Sequence, residues 1–205
     1  MGVAAMRIFG ITGGIGCGKS EAARAFERRG VPVIDADRVG HAVIQPGGAA
    51  HEAVVRAFGD GILSGDGRVD HARLAARVFG DPDACRQLNA ITHPVIYAEI
   101  GRRCMALQEQ GVNAVLVEAA LIGENGVVNP FFEGLILISC PVEERLRRLT
   151  AQRGMVRAEA ERRIAAQSDP EAKRAVAKWV IDNGGDLESL QRQVDAIVEA
   201  MENPR

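Results

Sequence analysis

Gly13-Gly14-Ile15-Gly16-Cys17-Gly18-Lys19-Ser20 is where residue types and spacing speak most directly of chemistry. The stretch matches G-x-x-x-x-G-K-[ST] in full register, the pattern of a loop that cradles the phosphates of a nucleoside triphosphate. Glycines let the backbone turn its N–H groups inward around an anion, with no Cβ in the way. Lys19 can reach the β- and γ-phosphates, and the Ser20 hydroxyl can ligate Mg²⁺. The apolar run Ile8, Phe9, Ile11 before the loop reads as a strand, and Glu21 to Phe26 after it reads as a helix. Phosphates would then lie at a helix N-terminus, where the dipole favours negative charge.

Holding a triphosphate is not yet transferring it. Transfer needs the γ-phosphoryl charge neutralised and the attacking oxygen aligned with water kept out. Asp37 is the candidate for aligning or deprotonating an acceptor hydroxyl, and Asp35 stands beside it near Mg²⁺ or the acceptor. One of the two could instead cap a helix, but two aspartates around one alanine cannot both fill one cap. Arginines crowd the stretch from Arg145 to Arg163, where Arg148 and Arg153 could fold over the nucleotide. A solvated basic helix face is the alternative there. His93-Pro94 reads as a helix break as readily as a binding residue, and Asn183-Gly184 either frames a base or makes an ordinary turn. Cys17, inside the loop, is placed for its pKa to be lowered by the surrounding N–H groups, which would make it open to oxidation.

The elements that must position these residues alternate between strand and helix. Val31 to Ile34 is a short apolar strand ending at Asp35, so its carboxylates lie at the carboxyl end of a strand, the ligand side of an open α/β sheet. Residues 38–58 continue as helix broken near Pro46-Gly47-Gly48, and 59–70 is turn-rich without calcium-loop spacing. Residues 71–110 are helical, with breaks at Pro82 and His93-Pro94. Strands follow at Ala114 to Val117, Leu135 to Ile138 and Trp179 to Ile181. A helix from Pro141 carries Arg145, Arg147, Arg148 and Arg153, and Asp186 caps a last amphipathic helix with Leu187, Leu190, Val194, Ile197, Val198 and Met201 on its apolar face. The fold class is α/β: a three-layer nucleoside-triphosphatase architecture around a central parallel sheet, with a helical insertion. The core comprises 6–37, 112–144 and 176–205, the insertion 38–111 and an arginine-rich helical segment 145–170, all within one domain 1–205.

At 205 residues, with 47% hydrophobic and 25% charged residues, the chain can bury a core without staples. A net charge of −2 and an isoelectric point near 6.1 argue against a nucleic-acid partner. No apolar run reaches the ~18 residues of a membrane span. The N-terminus lacks signal-peptide and myristoylation features, and Met6 could be the true start. Cys17, Cys85, Cys104 and Cys140 have no metal-binding spacing, so free thiols in a reducing cytoplasm are expected.

GITGGIGCGKS, VIDAD, ITHPVI, ALIGEN, RRIAAQ and VIDNGG, in that order from Arg7 to about Gly185, resemble the dephospho-coenzyme A kinase family. The resemblance implies a kinase of the nucleoside-monophosphate-kinase type, in which 38–111 is a coenzyme-A-binding insertion and 145–170 a helical lid. It would move the γ-phosphate of ATP, with Mg²⁺, to the ribose 3′-hydroxyl of dephospho-coenzyme A, acting as a monomer or small homo-oligomer. Carried over, Asp37 is the base, with Lys19, Arg148 and Arg153 catalytic. Gly14, Ile15, Gly16, Cys17, Gly18, Lys19, Ser20, Glu21 and Asn183 would bind ATP, and Ser20 the metal. Asp35, Asp37, Arg77 and His93 would bind the acceptor.

Some positions depart from the family pattern. Glu21 replaces the usual Thr, 120–124 lacks the usual Pro, Lys178 and Trp179 stand where Asp is common, and the lid's AQRGM does not register cleanly. Another small-molecule or nucleotide kinase on the same fold is the nearest rival reading. A GTP-hydrolysing switch is a more distant one, since neither N-K-x-D nor a strand ending in D-x-x-G is present.

Overall fold

The computed structural model describes residues 6–119, 128–167 and 170–203. The ALIGEN segment and the first five residues, both weighed in the sequence, lie outside them. The chain divides into two compact units, one made of 1–34 with 108–205 and the other of 35–107.

The first unit holds a parallel five-stranded sheet in the order β2-β3-β1-β4-β5, with helices on both sides. Its strands are β1 (Arg7–Thr12), β2 (Val33–Asp35), β3 (Ala114–Glu118), β4 (Gly134–Ser139) and β5 (Trp179–Asp182). β1 is central, pairing in parallel with β3 from Arg7↔Ala114 to Ile11↔Glu118 and with β4 from Phe9↔Gly134 to Thr12↔Leu137. Leu135 to Ile138 are all fully buried, as expected of a parallel strand covered on both faces rather than alternating in and out. After β1 the chain goes first to one side of the sheet and later to the other. The crevice at β1's carboxyl end is therefore the switch point where open α/β sheets bind ligands.

Helix α1 (Lys19–Arg28) buries Ala22, Ala25 and Phe26 against Leu190, Val194, Val198 and Met201 of α8 (Leu187–Glu202) and the sheet. Each fully buried Leu or Phe contributes about 1.5–3 kcal/mol, so this face anchors the start of α1. Asp186 caps α8 through the Ser189 N–H at 2.8 Å, as the sequence indicates. Leu187, expected on the apolar face, is instead 67% exposed, because the first residue of the helix precedes the turn that meets the sheet. Val31 and Pro32 are likewise not strand residues: the Val31 N–H returns to Phe26 O to close α1, and β2 begins at Val33. Helices α6 (Val142–Ala151) and α7 (Arg157–Ala165) form a pair with their own small core of Leu146, Leu149 and Ala160. Arg153 lies in the turn between them rather than on a helix.

The second unit is helical: α2 (Ala36–Val43), α3 (His51–Phe58), α4 (His71–Val78) and most of α5 (Pro82–Glu109). Asp70 caps α4 through the Ala72 and Arg73 N–H groups. The expected break at His93-Pro94 does not occur; α5 runs through it for 28 residues. Pro94 removes one N–H, but the carbonyl it cannot serve belongs to Ala90, an exposed residue where water can serve it. One turn earlier, Thr92 Oγ1 donates to Leu88 O at 2.9 Å.

Candidate active site

The loop between β1 and α1 is bent by glycines at the positions where bulk would collide. Gly16 has φ +77°, and a Cβ there would come within 3.0 Å of Arg145 O. Gly18 has φ +87°, and a Cβ there would meet Asn183 Nδ2 at 2.2 Å and Arg148 Nη1 at 3.0 Å. With Gly18 capping α1, the helix dipole points into the loop. Among the described residues, the N–H groups of Gly16, Gly18, Lys19 and Ser20 have no hydrogen-bond partner. Such a run of inward amides is what an anion recruits. Lys19 Nζ donates to Gly13 O at 2.9 Å, bending back along the loop within reach of whatever it holds.

Three side chains from beyond β4 donate to this loop's carbonyls. Arg148 donates from Nη1 to Cys17 O at 3.3 Å and from Nη2 to Asn183 O at 2.7 Å, while its Nε pairs with Glu144 at 2.8 Å. Asn183, 5% exposed at the end of β5, donates from Nδ2 to Cys17 O at 2.8 Å. Arg145, 4% exposed, donates from Nε to Ile15 O at 2.8 Å. Glu144 is held well below the usual carboxylate range, to about 2, by hydrogen bonds from Arg147 and Arg148 that outweigh its desolvation. Arg148 thus has all three guanidinium nitrogens engaged with Glu144, Cys17 O and Asn183 O. Arg153 is exposed and has no hydrogen bond or ion pair among the described residues.

Cys17 overturns the sequence expectation. Its side chain is 1% exposed and packs into the core with Ile138 and Cys140, so burial raises its pKa despite the cations of Arg145, Lys19 and Arg148. The loop offers its backbone outward and its thiol inward, which shields the sulfur from oxidants. Glu21, which stands in place of the family's usual Thr, is paired with Arg24 one turn along. Ser20 is exposed in the first turn of α1 with its hydroxyl free of partners among the described residues. No group of three or more His, Cys, Asp and Glu that could hold a metal gathers among the described residues. A single hydroxyl oxygen beside phosphate oxygens is nonetheless a donor set that suits Mg²⁺, which keeps most of its water.

The candidate acceptor residues belong to the second unit. Asp35 is the helix cap, the alternative weighed for either aspartate: its Oδ1 accepts from the Arg38 N–H at 2.9 Å. That leaves Asp37, exposed in the first turn of α2 and without a hydrogen bond among the described residues, as the uncommitted carboxylate. His93 is exposed on α5, its ring edge-on to Tyr97 with centroids 6.2 Å apart. Arg77 is exposed on α4. Sequence reasoning named Arg145 among the clustered arginines without making it a site residue and gave Gln167 no role, yet both meet the loop; Gln167 Oε1 accepts from the Ile15 N–H at 2.7 Å. The RRIAAQ motif carried that signal, with no physical reason visible until its partner was known.

The family model described as dephospho-CoA kinase matches residues 7–189. The chain is 41% identical to the dephospho-CoA kinase of Geobacter sulfurreducens, covering 94% of this chain and 97% of that one. It is 43% identical to that of Chromobacterium violaceum, covering 94% and 93%. Among solved structures, it resembles a Thermus thermophilus protein (TM-score 0.82, 34% identity, 96% and 98% covered). It also resembles the dephospho-CoA kinase of Campylobacter jejuni (TM-score 0.60, 25% identity, 96% and 97% covered). A shikimate kinase from Bacteroides thetaiotaomicron shares the fold at 16% identity and TM-score 0.53.

Proposed function

The chain belongs to the dephospho-CoA kinase family, and from that premise we propose how its residues divide the work of phosphorylating dephospho-coenzyme A with ATP. The reaction it catalyses transfers the γ-phosphoryl group to the ribose 3′-hydroxyl, giving coenzyme A and ADP. The observation that carries the assignment of roles is the set of amides of Gly16, Gly18, Lys19 and Ser20, unpartnered among the described residues, in the loop that carries Lys19.

In this reading those amides wrap the triphosphate, and Lys19 exchanges Gly13 O for β- and γ-phosphate oxygens. Ser20 and the phosphates would hold Mg²⁺, which would supply positive charge against the negative charge of the transferring group. The 3′-oxygen attacks the γ-phosphorus as the bond to the β,γ-bridging oxygen breaks, and the hydroxyl proton passes to Asp37. Asp37 is suited to this because Asp35 performs the capping. Arg153, with no scaffold partner among the described residues, is the arginine available to the γ-phosphate, while Arg148 holds the loop. Asn183 supports Cys17 and borders the adenine side. Residues 38–111, with Arg77 and His93, receive the acceptor, and 145–170 act as a lid. We assign the protein to the cytoplasm, as a monomer or small homo-oligomer that needs no nucleic acid; among the described residues no helix is long and apolar enough to cross a membrane.

Purified protein given ATP, Mg²⁺ and dephospho-coenzyme A should release ADP and coenzyme A in equal amounts. Turnover indifferent to that acceptor, or selective for GTP, would refute the reading.

A further inference from the structure

Ile15 is held from three directions by the segment that contains α6 and α7. Its N–H donates to Gln167 Oε1 at 2.7 Å, its carbonyl accepts from Arg145 Nε at 2.8 Å, and its side chain packs against the core of Leu146, Leu149 and Ala160. Arg145 Nη2 closes the ring with a longer bond of 3.4 Å to the same Gln167 oxygen. The phosphate loop thereby divides its amides into two sets. Those of Gly16, Gly18, Lys19 and Ser20 are unclaimed among the described residues, whereas that of Ile15 is spent on Gln167.

Peptide planarity gives this division a consequence. The Ile15 carbonyl and the Gly16 N–H belong to one rigid trans plane, so fixing the oxygen fixes the opposite direction of the N–H. The Ile15 N–H shares its plane with the Gly14 carbonyl, which accepts from Cys17 N at 3.2 Å. Pinning both planes around Ile15 therefore aims the Gly16 N–H before any ligand arrives, and preorganised donors cost no reorganisation when charge develops. Gly16 lies at φ +77° with Arg145 backbone close by, which leaves the loop little freedom to recover that aim otherwise.

We propose that Gln167 is a positioning residue for phosphoryl transfer: with Arg145 it locks the peptide planes on either side of Ile15 and so orients the loop's phosphate-binding amides. The proposal rests on the assignment of this loop to ATP.

Two variants test it, Gln167→Leu, which removes the acceptor, and Gln167→Glu, which keeps it. In nucleotide-free protein followed by NMR, the Ile15 amide should exchange about tenfold faster in Q167L, in line with one lost hydrogen bond, and near the wild-type rate in Q167E. In steady-state kinetics Q167L should raise KM for ATP about tenfold while leaving KM for dephospho-coenzyme A unchanged. Equal Ile15 exchange in wild type and Q167L would overturn the proposal. So would faster exchange with normal ATP kinetics, or an equal rise in both KM values. A wild-type protein that fails to bind ATP would instead refute the assignment of the loop, whatever the exchange rates.

Discussion

Asn183 Nδ2 lies 2.8 Å from Cys17 O, so a residue at the end of β5 holds the phosphate loop at a distance of 166 positions in sequence. The contact leaves no room over Gly18, whose Cβ would sit 2.2 Å from that nitrogen. Gly18→Ala combines this collision with a left-handed backbone at φ +87°, which costs an L-residue roughly 1–2 kcal/mol by itself. We expect a Tm lower by several degrees and ATP affinity reduced at least tenfold, checked by calorimetry and nucleotide titration. Wild-type affinity would mean that Asn183 can yield.

Asp37→Asn should lower kcat by ~10²–10⁴ while ATP still binds, because the proposed general base is lost and the phosphate loop is untouched. Lys19→Ala should weaken ATP binding and slow turnover together, since its charge serves ground and transition states alike. Near-normal turnover in D37N would remove Asp37 from its role.

The two candidate arginines should separate by readout. Arg148→Met strips hydrogen bonds from Cys17 O, Asn183 O and Glu144, and should cost about 2–4 kcal/mol of stability. Arg153→Met breaks no contact among the described residues; its Tm should stay within about 1 °C while kcat falls ~10²-fold. Denaturation curves alongside kcat decide this, and the opposite pattern would exchange the two roles.

Acid should act on the sheet through Glu133, which Arg7 and, at 3.3 Å, Lys178 hold down from 4.5 to about 2. A depressed carboxylate pKa contributes stability above pH 4.5 that fades as pH falls toward 2. The pair is partly exposed, so the contribution is under about 1 kcal/mol. Glu133→Gln should lower Tm slightly at pH 7 and narrow the gap between Tm at pH 7 and pH 3. An unchanged gap would show that the contact carries no stability.

The chain's own order of residues determined the phosphate loop, the alternation of strand and helix, the cap at Asp186 and the candidacy of Asp37. These are local matters, set by backbone freedom at glycine, side-chain period and the capping of free N–H groups within a few positions. Only the tertiary structure decided that Cys17 faces inward, that Asp35 rather than Asp37 is the cap, and that Pro94 leaves α5 whole. It also decided that Arg148 bonds Cys17 O and Asn183 O and that Gln167 meets Ile15 across 152 positions. In each case the outcome depends on which groups packing brings within hydrogen-bond reach, and on whether a freed polar group meets water or protein. No spacing along the chain encodes that.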